Sequence, residues 1–212
     1  MYTINVTEGI VLEKRPLGEE SAQVAILTER FGLLRATAQA GRGERSKLRY
    51  GLEPLTLGRY SFVRGKKAWR LSGAEHAQSI GSAERARRTA AGRICKLLLR
   101  LVHGEETSGL YTIVREGLNA LVAETREPIG DGKAWPSGLE RRPSSAHMAE
   151  HVSAIEIVLV LRILATLGYL PHSEALTPFV DGAFSVELSA QALEHRALLI
   201  RTINESLHAT GL

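Results

Sequence analysis

The sequence predicts an α+β chain, with five short strands forming a small closed or half-closed barrel followed by an all-helical region. Three observations carry this. Up to about residue 74, apolar and polar residues alternate in short runs, the period of a half-buried strand. From Ala83 the apolar spacing changes to three and four residues, which is helical. Five strands in so short a stretch make a small sheet whose edges need closure. The expected division is residues 1–78 and 79–212.

Tyr2, Ile4 and Val6 alternate, and apolar residues resume at Ile10–Leu12 before Lys14, Arg15 and Pro16. Pro16 and Gly18 mark a turn. Ala22, Val24 and Ile26 predict a second strand ending at Thr28-Glu29-Arg30, and Leu33–Gln39 a third. Leu55–Val63 and Ala68–Ser72 complete the set, joined by a tight basic hairpin turn. The first helix is expected over Ala83–Val102. A second runs from Ser108, a candidate N-cap, to Val122. Thr125–Ser145, with Pro128, Pro136 and Pro143, reads as a linker covering about 125–146. Ala149–Leu167 is apolar on nearly every face, so it should centre a helical bundle, stopped by Gly168 and Pro171. The last helix is expected from Ser189 to about His208.

Of the 212 residues, 44% are hydrophobic and 24% charged, and the net charge is +4. The surplus is uneven. Residues 1–80 hold 13 basic and 8 acidic side chains, and the remainder holds 14 and 15. A polyanion would therefore dock at the front. A lone cysteine, Cys95, excludes an intramolecular disulfide and fits a reducing compartment. The start MYTINVTEGIVLEK is unlike a signal peptide. The longest apolar run, Ala154–Leu170, contains Glu156 and Arg162, which argues against a bilayer span. A cytoplasmic location is expected.

The strand Leu33–Gln39 leads into a cationic loop with Arg42, Arg45, Lys47 and Arg49 around two glycines. The hairpin turn adds Arg64, Lys66 and Lys67, and Arg35 and Arg70 should face outward between the two loops. Such a track suits phosphates, bound with high salt sensitivity and little sequence preference. Lys14 and Arg15 are a weaker part, diluted by Glu13, Glu19 and Glu20. Tyr50, at the end of the basic loop, is placed to stack on a base. Trp69 is in phase with Leu71 and reads as core. His147, Glu150 and His151 spell H-x-x-E-H, an inverted zinc-peptidase pattern, but no third-ligand motif follows. Gly41-Arg42-Gly43 is followed by no Gly-Lys-Ser/Thr and is no phosphate-binding Walker loop. Cys95 reads as a core thiol. No catalytic residue, metal or cofactor is expected.

An ordered set of words resembles the N-terminal domain of the bacterial recombination-mediator family RecO. These are Gly9-Ile10-Val11-Leu12, Gly18-Glu19, Thr28-Glu29 followed by Gly32, Ser46-Lys47, Leu52-Glu53-Pro54-Leu55 and the Gly65 hairpin. LRILATLGYLP at Leu161–Pro171 is similar to the family's helix leading into Leu-Gly-Tyr-x-Pro. The resemblance covers residues 8–75 and 149–172. It implies an OB-fold barrel followed by a helical domain, binding to single- and double-stranded DNA, and strand annealing. It also implies a role in loading the recombinase onto DNA coated with single-strand DNA-binding protein, within the nucleoid. The partners implied are RecR and the acidic C-terminal tail of the single-strand DNA-binding protein. A pocket for that tail could be built from Arg93, Lys96 and Arg115 beside Leu97, Tyr111 and Leu118. Many members carry a four-cysteine zinc module after the Gly-Tyr-x-Pro helix. Here HSEALTPFVDGAFSVELSAQ has no cysteine, so no zinc is expected. The alternatives are an OB-fold adaptor for RNA or acidic protein segments and, remotely, a zinc hydrolase using His147, Glu150 and His151.

Overall fold

A computed structural model of the chain describes residues 3–19, 21–39, 48–65, 68–80, 84–103, 109–123, 145–171 and 173–209. Strands β1 (Ile4–Leu17), β2 (Ser21–Thr28), β3 (Gly32–Ala38), β4 (Thr56–Arg64) and β5 (Trp69–Ser79) close a barrel in the order β1-β2-β3-β5-β4. All pairings are antiparallel except β3 with β5. The inward residues are Val11, Val24, Ile26, Leu34, Ala36, Ala38, Tyr60, Phe62 and Leu71, joined by Leu52. A short helix, α1 (Leu48–Gly51), lies between β3 and β4. The buried Tyr60 hydroxyl donates to the carbonyls of Gly51 at 2.9 Å and Thr56 at 3.2 Å, fastening α1 to the barrel.

Two strands are longer than their sequence pattern suggests. β1 is one strand, pairing with β4 through Ile4–Ile10 and with β2 through Gly9–Leu17, with an irregularity between Val11 and Glu13. At the crossover a Cβ on Gly9 would lie 2.7 Å from Ile26 Cγ2, so this close approach needs glycine. β5 continues beyond Ser72 to Ser79. Its second half, Gly73-Ala74-Glu75-His76-Ala77, lacks alternation because Ala74 and Ala77 lie against the α1 backbone at Gly51. The register also shifts between Leu57 and Arg59.

The helical layer packs on the outside of β1 and β2. Ile10, Leu12, Ala25, Leu27 and Leu33 point away from the barrel interior into a core shared with α2 (Arg85–Leu101), α3 (Leu110–Val122) and α4 (Ser145–Thr166). The chain ends in α5 (Thr177–Asp181), α6 (Val186–Glu194) and α7 (Arg196–Ala209). α4 is the hub, touching α2, α3, α5, α6 and α7. It stops at Gly168, whose φ is 75°. Tyr169 N–H donates to the Leu164 carbonyl and Gly168 N–H to that of Ala165, the paired bonds of a left-handed helix stop.

Three expected boundaries are corrected. The N-cap of α3 is Gly109, in a left-handed conformation, and Ser108 lies outside the described residues. α4 begins at Ser145, four residues before the expected start. The single last helix is two. Ser185 caps α6 by accepting the Leu188 N–H at 3.1 Å, and α7 starts after His195. Ser189 is instead inside α6, where its hydroxyl donates back to the Ser185 carbonyl.

Among the described residues, two arginines are buried in the helical layer. Arg87, 3% exposed, donates to Glu84, to the carbonyls of Leu121 and Ala123, and to the Met148 sulfur. It thereby joins α2 to the end of α3 and the start of α4. Arg162 donates to the carbonyls of Phe179 and Gly182 and lies over the Phe184 ring at 4.1 Å. Carbonyls at helix C-termini lack internal partners and carry partial negative charge, which is what these cations satisfy. Among the described residues no helix is long and apolar enough to cross a membrane.

Candidate nucleic-acid interface

Side chains on β-strands alternate between faces, so the barrel register sorts every candidate. Arg15, Gln23, Thr37, Arg70, Val63 and Ile4 form one cross-strand row running through β1, β2, β3, β5 and β4. Their neighbours Val24, Ala36 and Leu71 point inward, so this row points out. Arg35 lies one outward position along β3, opposite Ala25. Neighbouring strands are about 4.8 Å apart. Arg15 and Arg70, three strands apart, thus stand roughly 14 Å from each other across this face.

The exposed Arg35 makes no hydrogen bond or ion pair among the described residues. Arg70 Nη2 donates to Gln39 Oε1 at 2.8 Å, and Arg15 Nε lies 2.9 Å from Glu13 Oε2. Both bonds are at the surface, where such pairs are weak. Lys14 is different. It belongs to an inward register position with Val24, and its ammonium donates to Glu53 Oε1 at 2.9 Å with the side chain 15% exposed. It is an ion pair at the barrel end. Arg42, Arg45, Lys47, Lys66, Lys67 and the side chain of Arg49 lie outside the described residues. Tyr50 on α1 is 77% exposed.

Trp69 is half-buried, with Phe62 edge-on behind it and Phe31 beside it. Arg64 lies over its ring. Phe31 and its neighbour Arg30 were not singled out from sequence. They sit in the β2–β3 turn, where no periodicity marks a residue as buried or exposed.

The residues considered for a peptide-tail pocket face different neighbours. Arg93 holds Glu156 of α4 through two bonds of 2.6 and 2.5 Å. The Tyr111 hydroxyl donates to Glu8 Oε2 of β1 at 3.0 Å, and Arg115 Nη1 lies 3.5 Å from the same oxygen. Burial, with the Glu8 hydrogen bond, pushes the Tyr111 phenol up to about 12. Leu118 is fully buried, Leu97 is half-buried and Lys96 is exposed. In the H-x-x-E-H stretch, Glu150 is exposed and His151 half-buried, while the His147 side chain lies outside the described residues. Burial and the nearby Arg87 hold His151 below its ordinary pKa. No group of three potential metal ligands is found among the described residues. Burial pushes the Cys95 thiol up to about 12.

Residues 1–80 match the family model Recombination protein O N terminal. Over 187 residues the chain is 31% identical to the DNA repair protein RecO of Gloeothece citriformis, covering 87% of this chain and 61% of that protein. Over 131 residues it is 32% identical to the DNA repair protein RecO of Bifidobacterium adolescentis, covering 58% of this chain and 53% of that one. A shorter match, 42% over 57 residues, is to the DNA repair protein RecO of Thermodesulfovibrio yellowstonii, covering 27% of this chain and 23% of that protein. The chain spans somewhat over half the length of the first two of these relatives. The family model ends at the last barrel strand and the longer matches run on into the helices, so residues 1–80 carry the N-terminal domain of RecO proteins, an OB-fold barrel, and the likeness to those proteins continues through the helical part.

Proposed function

We propose that this chain acts in DNA repair and recombination as a mediator that binds single- and double-stranded DNA and promotes strand annealing without catalysis. The observation that carries the reading is the outward row containing Arg15, Gln23, Thr37 and Arg70, with Arg35 beside it. Guanidinium and amide groups spaced across a polar barrel face suit phosphates rather than base edges. Two strands laid along such a face would each release counterions and lose mutual repulsion, which favours pairing. In this reading residues 1–78 contact DNA. Residues 79–212 form the platform for a RecR-like partner and for the acidic tail of single-strand DNA-binding protein. The names of the relatives support the repair role, and the front-loaded charge supports the polyanion.

The test is the salt dependence of binding to a single-stranded oligonucleotide. Replacing both Arg35 and Arg70 by Ala should lower the log–log slope by about 1.4, since each phosphate contact to a single strand contributes about 0.7. An unchanged slope refutes this face as the interface. Annealing of complementary strands, with and without single-strand DNA-binding protein, then tests the mediator role. Neutralising Arg42, Arg45, Lys47 and Arg49 should slow it. Annealing at the wild-type rate by that variant counts against the basic loop.

A further inference from the structure

The barrel end formed by the β2–β3 turn and the β4–β5 hairpin carries an aromatic pair held unusually firmly. Thr28 Oγ1, 1% exposed, accepts the Phe31 N–H at 3.0 Å and donates to the Gly32 carbonyl at 2.8 Å. Gly32 has a φ of 63°, which glycine adopts freely. The N–H groups of Glu29 and Arg30 bond to the Glu8 carbonyl and to Thr7 Oγ1. The turn is therefore clamped on both sides, and Phe31 is fixed with it. Its ring centroid lies 5.8 Å from that of Trp69, and Trp69 lies 6.3 Å edge-on from the fully buried Phe62. Phe31 and Trp69 are both half-buried. The Arg30 guanidinium stands 5.5 Å over the Phe31 ring and that of Arg64 stands 5.4 Å over Trp69.

Sealing a barrel end requires apolar bulk, for which Phe62 and a leucine or two would suffice. It does not require two rings that reach solvent, each with an arginine on it. Bases stack on aromatic faces, and arginines stacked beside them reach the adjoining phosphates. Phe31 immediately precedes β3 and Trp69 opens β5 at an inward register position opposite Ala36, so both rings lie at the mouth of the barrel, packed on its core, one residue from the outward Arg70.

We propose that Phe31 and Trp69 form a stacking platform for an unpaired nucleobase, which displaces the Arg30 and Arg64 guanidiniums from the ring faces to the flanking phosphates of a single DNA strand. This rests on the DNA-binding reading above. A base inside a duplex has its faces covered by its neighbours, so the platform favours unpaired strand. It makes single-strand binding depend on bases as well as on charge.

The experiment compares an oligothymidylate with an abasic strand of the same length, at matched salt. The chain has two tryptophans, so a Trp135→Phe background leaves Trp69 as the reporter. Both strands should bind through phosphates. The oligothymidylate should bind about 5- to 150-fold more tightly and quench Trp69 emission, which the abasic strand should not do. Phe31→Ala, checked for an unchanged thermal transition, should reduce the oligothymidylate toward the affinity of the abasic strand. Equal affinities with equal Trp69 emission overturn the platform while leaving the DNA-binding reading intact. Absence of binding by both strands at low salt overturns both.

Discussion

Gly117 decides how closely α3 can lie on α4. A Cβ built there would sit 2.4 Å from Leu159 Cδ1, 2.7 Å from Cδ2 and 2.9 Å from Cγ. Leu159 is fully buried at the centre of the hub helix, so its side chain cannot swing into solvent. Gly117→Ala sets two effects against each other. Alanine should gain about 1 kcal/mol from helix propensity. Forcing a methyl group into a filled core costs about 1–3 kcal/mol, and three contacts under 3.0 Å put this site at the upper end. The net loss should be about 2 kcal/mol, or about 4–8 °C in Tm for a chain of this size. Urea denaturation in a double-mutant cycle isolates the cause. Leu159→Ala alone should cost about 2–5 kcal/mol by leaving a cavity. In that background Gly117→Ala should become neutral or stabilising, because the clashing atoms are gone. The same cost in both backgrounds, or a stabilising Gly117→Ala in the native one, would refute the close-packing argument.

Tyr60→Phe removes the hydroxyl bonded to the carbonyls of Gly51 and Thr56. It should cost about 1–3 kcal/mol, measured by urea unfolding, because the buried acceptors are left with fewer partners. Cys95, with its thiol pushed up to about 12 by burial, should resist a thiol-titrating disulfide reagent at pH 8 in the native state and react at once in denaturant. His151 gives a pH signature. Burial and Arg87 depress its folded-state pKa, so the unfolded chain binds the proton more readily. The stability contributed by the neutral ring is then complete above the ordinary value of 6.5 and is lost as pH falls below it. His151→Asn should flatten that acid limb in thermal melts between about pH 7 and pH 5.

Most of the architecture is legible in the residues, and the misses share physical causes. Alternation finds β2 and β3 because one face of each is continuously apolar. It leaves a gap in β1, where Thr7-Glu8-Gly9 interrupts the pattern at the crossover between two partner strands, and it ends that strand short of Leu17. It truncates β5, where small residues replace large ones against α1. Helical spacing finds α4 readily but cannot say what Glu156 and Arg162 do inside an apolar run. Their partners, Arg93 and the α5 carbonyls, lie on other elements. Serine marks caps only weakly, and Ser185 rather than Ser189 has the neighbouring N–H to accept. For the candidate interface, alternation shows that Arg35 and Arg70 point outward. That Arg70 shares a row with Arg15 follows only from the register around the closed barrel. The Phe31–Trp69 pairing depends on a turn, which has no period to read.

The helices also determine which part of the barrel wall stays exposed. An OB barrel presents its whole outer wall to solvent unless something covers it. Here the outward positions Ile10, Leu27 and Leu33 are neighbours in register and all enter the helical core. The next outward position along is mixed, with Ala25 covered and Arg35 exposed. The one after that is the row with Arg15, Gln23 and Arg70, which are exposed. The boundary of the covered area thus runs obliquely across β2 and β3, so a single strand changes from apolar to polar on its outer face within four residues. Burying an arginine against the helices without partners would cost several kcal/mol. Leaving Leu27 and Leu33 exposed would forgo about 2 kcal/mol each. The apolar part of the wall therefore selects the helical layer, and the part carrying Arg15, Gln23, Arg35 and Arg70 stays in solvent.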